Sequence, residues 1–193
     1  MAFSYPIFLD LQGVNVLLVG GGNIAARKAA GLAEAGAVIT VVAPEINTDL
    51  RTLAAHVEQR PYRDGEAGNY QLVLTATNDA MVNAQVSSDA KAAGVWVNSA
   101  DDPQNCSFIL PAVARRGLVT MAISTGGASP ALASRLRTDI AGRELTPAVQ
   151  AAAIELSRQR DEIKRAGGST EDIDWTDRVS AALGIVSAEN RPE

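Results

Sequence analysis

Short apolar runs alternate with amphipathic segments over the first hundred residues of the chain. Residues 15–20 (NVLLVG) and 38–44 (VITVVAP) are almost continuously apolar and end in glycine or proline, which is typical of strands buried on both faces of a parallel sheet. Between them, the apolar positions of residues 23–35 repeat at helical spacing, and Gly36 is placed to end that helix. The pattern predicts a strand–helix–strand unit at the start of the chain.

The same alternation continues, with weaker signals, as far as residue 101. The further predicted units are, in chain order, a helical or irregular piece at 46–55, a possible strand at 56–62, a strand at 70–79, a helix ending at Gly94 and a strand at 95–101. Strands that alternate with helices over such a length predict an α/β fold with a doubly wound parallel sheet.

The pattern changes after Pro111. Residues 118–124 predict one more strand, and the pairs Ser129–Pro130 and Thr146–Pro147 each place an N-cap residue before a first-turn proline. The first of these helices carries Leu132, Leu136 and Ile140 on one face. We therefore predict a domain at 1–112, a small region at 113–145 and a helical region at 146–193, whose last residues, 187–193, are expected to fray.

Composition narrows the class of protein. With 193 residues, of which 47% are hydrophobic, the chain can bury the core of one domain with an appendage. A net charge of −5 argues against an extended nucleic-acid surface and against a polybasic membrane patch. The sequence has neither an apolar run of the roughly 20 residues that span a bilayer nor a signal peptide. One cysteine and one histidine cannot build a structural zinc site. We expect a soluble cytoplasmic protein.

Residues 20–25 carry a glycine pattern, Gly20-x-Gly22-x-x-Ala25, directly between a predicted strand and a predicted helix. In this pattern the first glycine permits a tight turn, the second leaves room for a pyrophosphate, and the small third residue keeps helix and strand close. The helix N-terminus favours the negative charge of the phosphates. A glycine-rich turn without a ligand is the alternative. The predicted cofactor-binding residues are Gly20, Gly22, Asn23, Ile24, Pro44, Glu45 and Thr77.

The end of the second predicted strand bears on the choice between NAD and NADP. An acidic residue that binds the ribose hydroxyls of NAD usually ends this strand. Here the strand ends at Pro44, and the first acid is Glu45. No arginine adjoins it to bind the 2′-phosphate of NADP, since Arg51 is the nearest downstream. The sequence favours NAD as the cofactor.

Four segments, taken together and in this order, resemble the precorrin-2 dehydrogenase family. This family is the dehydrogenase and chelatase module of siroheme synthases and also occurs as a free-standing protein. The segments are YPIFLDLQGVNVLLVGGGNIAARKAAGLAEAGAVITVVAP from Tyr5, LTATND from Leu74, VNSADDPQNCSFILPA from Val97 and AISTGGASPALASRLR from Ala122. The glycine loop alone is generic, but the ordered set, which covers most of residues 5–142, is specific. No methyltransferase-like segment follows, so the chain resembles the free-standing form.

The resemblance implies a Rossmann-type NAD-binding domain, a small dimerisation region and a C-terminal helical region, assembled as a homodimer. It implies that precorrin-2, a tetrapyrrole, is oxidised to sirohydrochlorin with transfer of hydride to NAD⁺. Some relatives then insert Fe²⁺ or Co²⁺ into the product, whereas others insert no metal, so metal insertion stays open. A non-catalytic module that binds a dinucleotide or a tetrapyrrole on the same fold is the alternative.

Residues 98–102 fall at the carboxyl end of the strand predicted at 95–101, at the edge of the sheet where ligands of such folds collect. A carboxylate here could accept the proton that the substrate loses. The resemblance implies that Asp101 is the catalytic residue, with a turn residue as the alternative. We expect Asp102 to be a turn residue and Cys106 to be a small buried thiol.

The resemblance also indicates where the carboxylates of the substrate would bind. The predicted substrate-binding residues are Asn98, Ser124, Thr125 and Gly126. For residues 124–130 (STGGASP) the simpler interpretation is a turn followed by a helix cap at Ser129. Thr125 occupies the position at which some relatives carry a serine that can be phosphorylated.

Overall fold

The computed structural model describes residues 5–100 and 102–184. The tail expected to fray and the predicted catalytic residue Asp101 therefore lie outside the described residues. Contacts divide the chain into two compact units, of which the first ends at Leu110 and the second begins at Pro111. The finer division at residues 145 and 146 stays a prediction.

The first unit is built on a five-stranded sheet. Its elements are β1 (Asn15–Val19), α1 (Asn23–Glu34), β2 (Val38–Val42), α2 (Thr48–Leu53), β3 (His56–Glu58), β4 (Leu72–Thr75), α3 (Ala80–Ala92) and β5 (Trp96–Ser99), with short 3-10 helices at Glu66–Asn69 and Pro103–Asn105. The strands pair in parallel in the order β3-β2-β1-β4-β5. The order reverses at β1, which lies between β2 and β4. The predicted α/β, Rossmann-type doubly wound sheet is confirmed.

Both faces of this sheet are covered by helices. One apolar cluster joins alternate residues of β1, Val16 and Leu18, to α1 and α2, and the other joins Leu17 and Val19 to α3. Ala25, the small third residue of the glycine pattern, is fully buried in the first cluster. Since each buried Val or Leu side chain contributes about 1.5–3 kcal/mol, these clusters provide a stable base for the loops at the carboxyl edge of the sheet.

The second unit, as far as residue 184, consists of a β-hairpin and three helices. Its elements are β6 (Ala112–Arg116), β7 (Val119–Ile123), α4 (Pro130–Glu144), α5 (Pro147–Arg165) and α6 (Thr176–Ala182). β6 and β7 pair antiparallel, and Gly117 turns the chain between them with a φ of 54°. Both predicted caps are confirmed, because the hydroxyls of Ser129 and Thr146 accept hydrogen bonds from backbone amides in the first turns of α4 and α5.

Two features of the second unit differ from the sequence pattern. The pattern does not predict β6, whose residues are half-buried or exposed and therefore lack the alternation of a strand with one covered face. The apolar face expected on α4 is also not buried within this unit. Leu132 is 51% exposed and Leu136 is 38% exposed, whereas the buried residue of the helix is Ala133.

Candidate functional site

Three loops of the first unit meet where the strand order reverses. They follow β1, β2 and β4, whose carboxyl ends lie side by side because the strands are parallel. The amide of Gly20 donates to the carbonyl of Val42 at 3.0 Å, and the amide of Ala76 donates to the carbonyl of Val19 at 2.8 Å. The reversal creates the crevice in which folds of this kind bind their ligands.

Each glycine of the first loop is required for a different physical reason. Gly20 has a φ of 125°, and a Cβ atom there would overlap the carbonyl of Ala76. A Cβ atom on Gly21 would overlap the carbonyl oxygen of Glu45. A Cβ atom on Gly22 would meet nothing within 4 Å. The first two glycines therefore let the three loops approach one another, while Gly22 leaves an open space at the start of α1.

The N-terminus of α1 opens into this space. Gly22 is the N-cap residue, no side chain among the described residues caps the helix, and its first turn carries no acidic residue. The first amides of a helix have no partner within the helix, and the helix dipole makes this end electropositive. Asn23 and Ile24 are exposed at this end. The space beside Gly22 and the free helix end fit the pyrophosphate of a dinucleotide.

The second loop is held against the first by Asn47. Its backbone amide donates to the carbonyl of Gly21 at 2.9 Å, and its side-chain Nδ2 donates to Asn23 Oδ1 at 3.0 Å. Pro44 and Glu45 are exposed in the same loop. These contacts bring the predicted cofactor residues of the β1–α1 and β2–α2 loops together.

The third loop contains Thr77 and is organised by Asn83 of α3. The Oδ1 atom of Asn83 accepts hydrogen bonds from the hydroxyls of Thr75 and Thr77 and from the amide of Thr77, and its Nδ2 donates to the carbonyl of Thr77. Asp79 caps α3 by accepting from the amides of Met81 and Val82. The position of Thr77 thus depends on a buried amide, because Asn83 is only 8% exposed.

Arginines near the ends of β2 and β3 already have partners. Arg51 donates to Gln59 Oε1 at 2.6 Å. Arg60 pairs with Glu58 and Glu66 and is 19% exposed. These two carboxylates raise the pKa of the Arg60 guanidinium, against the opposing effect of burial. A 2′-phosphate would have to compete with these bonds for either guanidinium.

We call the segment from Ser99, the last residue of β5, to Phe108 the acid loop, and its described residues, 99–100 and 102–108, close back on the strand. The amide of Ser107 donates to the carbonyl of Val97 at 2.7 Å, so the loop returns to the strand from which it departs. Asp102 holds the 3-10 turn within it, because Asn105 Nδ2 donates to Asp102 Oδ2 at 2.7 Å. The expectation that Asp102 is a turn residue agrees with this contact. The role of Asp101 stays a prediction.

Cys106 lies inside the acid loop as a buried thiol. Its sulfur accepts a hydrogen bond from the amide of Ser99 at 3.1 Å and lies 3.2 Å from the carbonyl oxygen of the same residue. Burial raises the pKa of the Cys106 thiol, although the Ser99 amide and the Lys28 ammonium act to lower it. A protonated thiol that joins two parts of a loop is a structural group, as the sequence predicts.

Asn98 and Lys28 connect the acid loop to α1. Asn98 is 5% exposed, and its Nδ2 donates to the carbonyl of Phe108 at 3.0 Å. The Lys28 ammonium donates to Asn98 Oδ1 at 2.6 Å. The sequence analysis missed Lys28, although it carries a signal. Lys28 lies three residues after Ala25 and four before Leu32, and therefore within the buried face of α1.

The predicted substrate residues Ser124, Thr125 and Gly126 lie in the second unit, in the turn before α4. Ser124 Oγ accepts from the amide of Gly126 at 3.1 Å, and Thr125 Oγ1 exchanges hydrogen bonds with the backbone of Ser129 at 3.0 and 3.1 Å. The hydroxyls of this segment thus hold the turn and start the helix. Substrate binding by Ser124, Thr125 and Gly126 stays a prediction, and so does modification of Thr125.

No helix in the described part of the chain is long and apolar enough to cross a bilayer. Across residues 5–100 and 102–184, no three His, Cys, Asp or Glu side chains gather in an arrangement that could hold a metal ion.

Comparison with family models agrees with the division of the chain into a first unit that ends at Leu110 and a second that begins at Pro111. Residues 7–112 match the family described as "Putative NAD(P)-binding", and residues 116–143 match the family described as "Sirohaem biosynthesis protein central". The first match covers the sheet and its loops, and the second covers most of β7 and α4.

Curated siroheme synthases and a solved precorrin-2 dehydrogenase structure are similar to the chain over most of its length. The chain is 45% identical over 139 residues to a siroheme synthase of Pseudomonas fluorescens and 40% identical over 193 residues to one of Ectopseudomonas mendocina. These alignments cover 70% and 97% of the chain but only 30% and 41% of the relatives, so the chain spans less than half of their length. The solved structure of SirC, a precorrin-2 dehydrogenase, matches 96% of the chain and 91% of its own, with a TM-score of 0.70 and 28% identity. The resemblance seen in the sequence is confirmed.

Proposed function

This chain belongs to the NAD(P)-binding family whose model it matches over residues 7–112, and from that premise we propose that it oxidises precorrin-2 to sirohydrochlorin with NAD⁺. The observation that carries this proposal is that the glycine loop and the acid loop lie at the same, carboxyl edge of one parallel sheet. A cofactor and a proton acceptor are both needed for this reaction, and that edge is where such folds collect them.

The cofactor would bind across the three loops that meet at the strand reversal. Gly22 and the amides at the start of α1, with Asn23 and Ile24, would hold the pyrophosphate, because this end of the helix is open and electropositive. Pro44, Glu45 and Thr77 would border the remainder of the dinucleotide. The paired state of Arg51 and Arg60 supports NAD rather than NADP. When bound, NAD⁺ supplies the hydride acceptor.

The protein groups would bind the tetrapyrrole and remove its proton. As the substrate gives up a hydride, a C–H or N–H proton must also leave, and a carboxylate in the acid loop can accept it. We assign this role to Asp101, while Asp102 holds the turn beside it. The turn of Ser124, Thr125 and Gly126 would contact the carboxylates of the substrate.

Anaerobic turnover tests this function directly. The purified chain would be incubated with precorrin-2 and NAD⁺ while NADH and sirohydrochlorin absorption are recorded. Asp101→Asn is expected to lower kcat about 100-fold or more while NAD affinity stays unchanged, because a general base contributes about 10²–10⁴ in rate. Asp102→Asn is the matched control and should lower kcat far less, because its remaining side-chain oxygen can still accept a hydrogen bond from Asn105 and hold the turn. Folded wild-type protein that binds NAD but produces no NADH would overturn the proposal in favour of a non-catalytic binding module.

Metal insertion is a second candidate activity, since the curated relatives are named siroheme synthases. In that reaction Fe²⁺ or Co²⁺ would be a substrate, and a carboxylate of the acid loop could accept the pyrrole protons that the metal displaces. Supplying sirohydrochlorin with each ion tests the idea. A rate equal to the spontaneous rate without protein would exclude it.

We also propose that the chain forms a homodimer through the region at 113–145. Leu118, Leu132 and Leu136 are 66%, 51% and 38% exposed in this region. Large exposed apolar side chains that lie on one helix and one hairpin are typical of a protein interface. We further propose a cytoplasmic location, which the similarity to siroheme synthases supports.

A further inference from the structure

Lys28 occupies a position that an apolar residue would fill at lower cost. It lies in the buried face of α1 between Ala25, which is fully buried, and Leu32, which is 6% exposed. Placing a lysine there costs the desolvation of its charge and the rotamer freedom of a long side chain. The proposed cofactor contacts do not involve Lys28, so its retention in this face requires another explanation.

The contact with Asn98 supplies one. An ammonium group has only donors, so it binds the oxygen and never the nitrogen of a side-chain amide. The bond from Lys28 Nζ to Asn98 Oδ1, at 2.6 Å, therefore determines which way the amide of Asn98 is turned. In that orientation Nδ2 faces the carbonyl of Phe108 at 3.0 Å. The flipped amide would place its NH₂ group against the ammonium and its oxygen against a carbonyl oxygen.

Asn98 in turn closes the acid loop. Its bond to Phe108 holds the end of the loop to β5, beside the bond between the Ser107 amide and the Val97 carbonyl. Asn98 Nδ2 also lies 3.7 Å from the Cys106 sulfur, which itself binds the Ser99 amide. In the sequence, Asp101 lies between Ser99 and Cys106. Among the described residues, the charged groups that act on the Cys106 thiol are Lys28 of α1, Lys91 of α3 and Asp102 of the loop.

Lys28 therefore links the two halves of the proposed site. It lies in α1, whose N-terminus is the proposed pyrophosphate site. Its ammonium binds Asn98, the residue that closes the loop with the proposed base. We propose that Lys28 is a positioning residue, which fixes the acid loop relative to the cofactor helix by orienting Asn98. This inference deepens the proposed function and rests on it, because the loop matters for catalysis only if Asp101 is the base.

Loop order can be measured without any turnover. Lys28→Met should increase hydrogen exchange at the Ser107 amide, whose bond to the Val97 carbonyl closes the loop. Lys164→Met is the control, because Lys164 is an exposed lysine of α5 in the second unit. The control should leave this exchange rate at its wild-type value. Equal protection in wild type and Lys28→Met would overturn the proposal, and it would do so even if the chain had no dehydrogenase activity.

Turnover supplies the second readout. Lys28→Met should lower kcat about 10- to 100-fold, as expected when a catalytic group is misplaced by about 1 Å, while the Kd for NAD changes little. Lys28→Arg keeps a charged donor and should restore much of kcat. A purely structural residue would instead lower the melting temperature without rescue by arginine. If Lys28→Met does not fold, Lys28→Arg alone decides, and a loss as large as that expected for methionine would overturn the proposal.

A double-mutant cycle tests whether Lys28 acts through Asn98. Asn98→Leu removes the amide that Lys28 orients. If the two residues form one chain of contacts, Lys28→Met should cost little further kcat once Asn98 is leucine, since coupled residues are not additive. Additive losses would show that Lys28 acts elsewhere and would overturn the proposed route.

Discussion

At the scale of single residues, Gly20 and Gly22 look equivalent in the sequence but are constrained by different things. Gly20 is constrained by the folded chain itself, because its φ of 125° and the nearby Ala76 carbonyl leave no room for a side chain. Gly22 has a φ of −90°, which alanine adopts freely, and open space where a Cβ atom would lie. Its N-cap position gives glycine a modest advantage over alanine, but only a bound ligand would need the open space beside it.

This difference predicts opposite behaviour of two alanine variants. Gly20→Ala should destabilise the fold by about 1–3 kcal/mol or more, because a non-glycine residue is strained in this region and also meets a backbone carbonyl. Gly22→Ala should lower the melting temperature only slightly, through the poorer N-cap, but lower NAD affinity about tenfold or more, because its methyl group takes the space of the pyrophosphate. Thermal unfolding and calorimetric titration with NAD measure both. Wild-type NAD affinity in Gly22→Ala would contradict the assigned site.

At the scale of elements, the turn from β4 to α3 depends on a single buried side chain. Asn83 accepts from Thr75 and Thr77 and donates back to Thr77, so it replaces the regular bonds that the strand loses where it ends. The turn borders the glycine loop, since Ala76 is the residue that Gly20 approaches. Disorder in this turn should therefore affect the cofactor as well as the fold.

Replacing Asn83 tests this dependence. Asn83→Ala leaves the buried Thr75 hydroxyl and the Thr77 carbonyl without this partner, which should cost about 1–3 kcal/mol of unfolding free energy for each unsatisfied group. NAD affinity should fall as well. Asn69→Ala is the control, because Asn69 is exposed at the end of a 3-10 helix. Urea unfolding and NAD titration check both variants, and unchanged values for Asn83→Ala would show that the turn forms without it.

The sequence predicts those elements whose physical signal is local. β1, β2 and β4 are short apolar runs buried on both faces, β5 begins within the apolar run of residues 95–97, and α1 and α3 carry apolar stripes, so each is visible in its own residues. β6 is not visible, because its half-exposed residues are specified by pairing with β7 rather than by burial. The strand order depends on contacts distant in sequence and likewise has no local signal.

The candidate site divides in the same way. Gly20, Gly22 and Ala25 form a pattern with a known mechanism, so the dinucleotide loop could be predicted. The roles of Lys28 and Asn83 could not be predicted from the sequence, because each acts through a partner outside its own helix. A polar residue within an apolar helical stripe is the one local sign that both of them give.

At the scale of the whole molecule, the exposed leucines of the second unit make a prediction about assembly. If Leu132 and Leu136 form the proposed dimer interface, Leu136→Asp should convert the dimer to a monomer, because a buried and unpaired carboxylate is strongly disfavoured at an interface. Light scattering after gel filtration measures the mass. Met81→Asp is the control, since Met81 is 79% exposed in the first unit. A wild-type monomer at working concentrations would contradict the proposal.

Acid should weaken the first unit through two carboxylates that hold its longest loop. Burial acts to raise the pKa of Glu66, but hydrogen bonds from Arg60 and the Arg63 amide outweigh it and lower that pKa. Burial also acts to raise the pKa of Asp89, but hydrogen bonds from the Gly65 amide and the Tyr62 hydroxyl outweigh it and lower that pKa. A carboxylate whose pKa is lower in the folded state than in the unfolded state stabilises the fold at any pH above its unfolded pKa. This stabilisation is lost as the pH falls through the folded pKa.

The unfolding free energy should therefore decline as the pH falls below about 4, where unfolded Asp and Glu titrate. Urea unfolding at a series of pH values measures the decline. Glu66→Gln combined with Asp89→Asn should be less stable at neutral pH and should show a shallower decline. An equally steep decline in this variant would assign the acid sensitivity to other carboxylates.

Gly21 has a consequence for how this protein can change over generations. A carbonyl oxygen of Glu45 lies where any side chain at position 21 would have to go, so the two segments can only diverge together. A lineage that replaces this glycine must already have moved the loop after its second strand, whereas a lineage that moves the loop first creates no clash and gives up only the hydrogen bonds of Asn47. The order of the mutations is therefore constrained, and relatives that lack this glycine should differ at residues 44–47 as well.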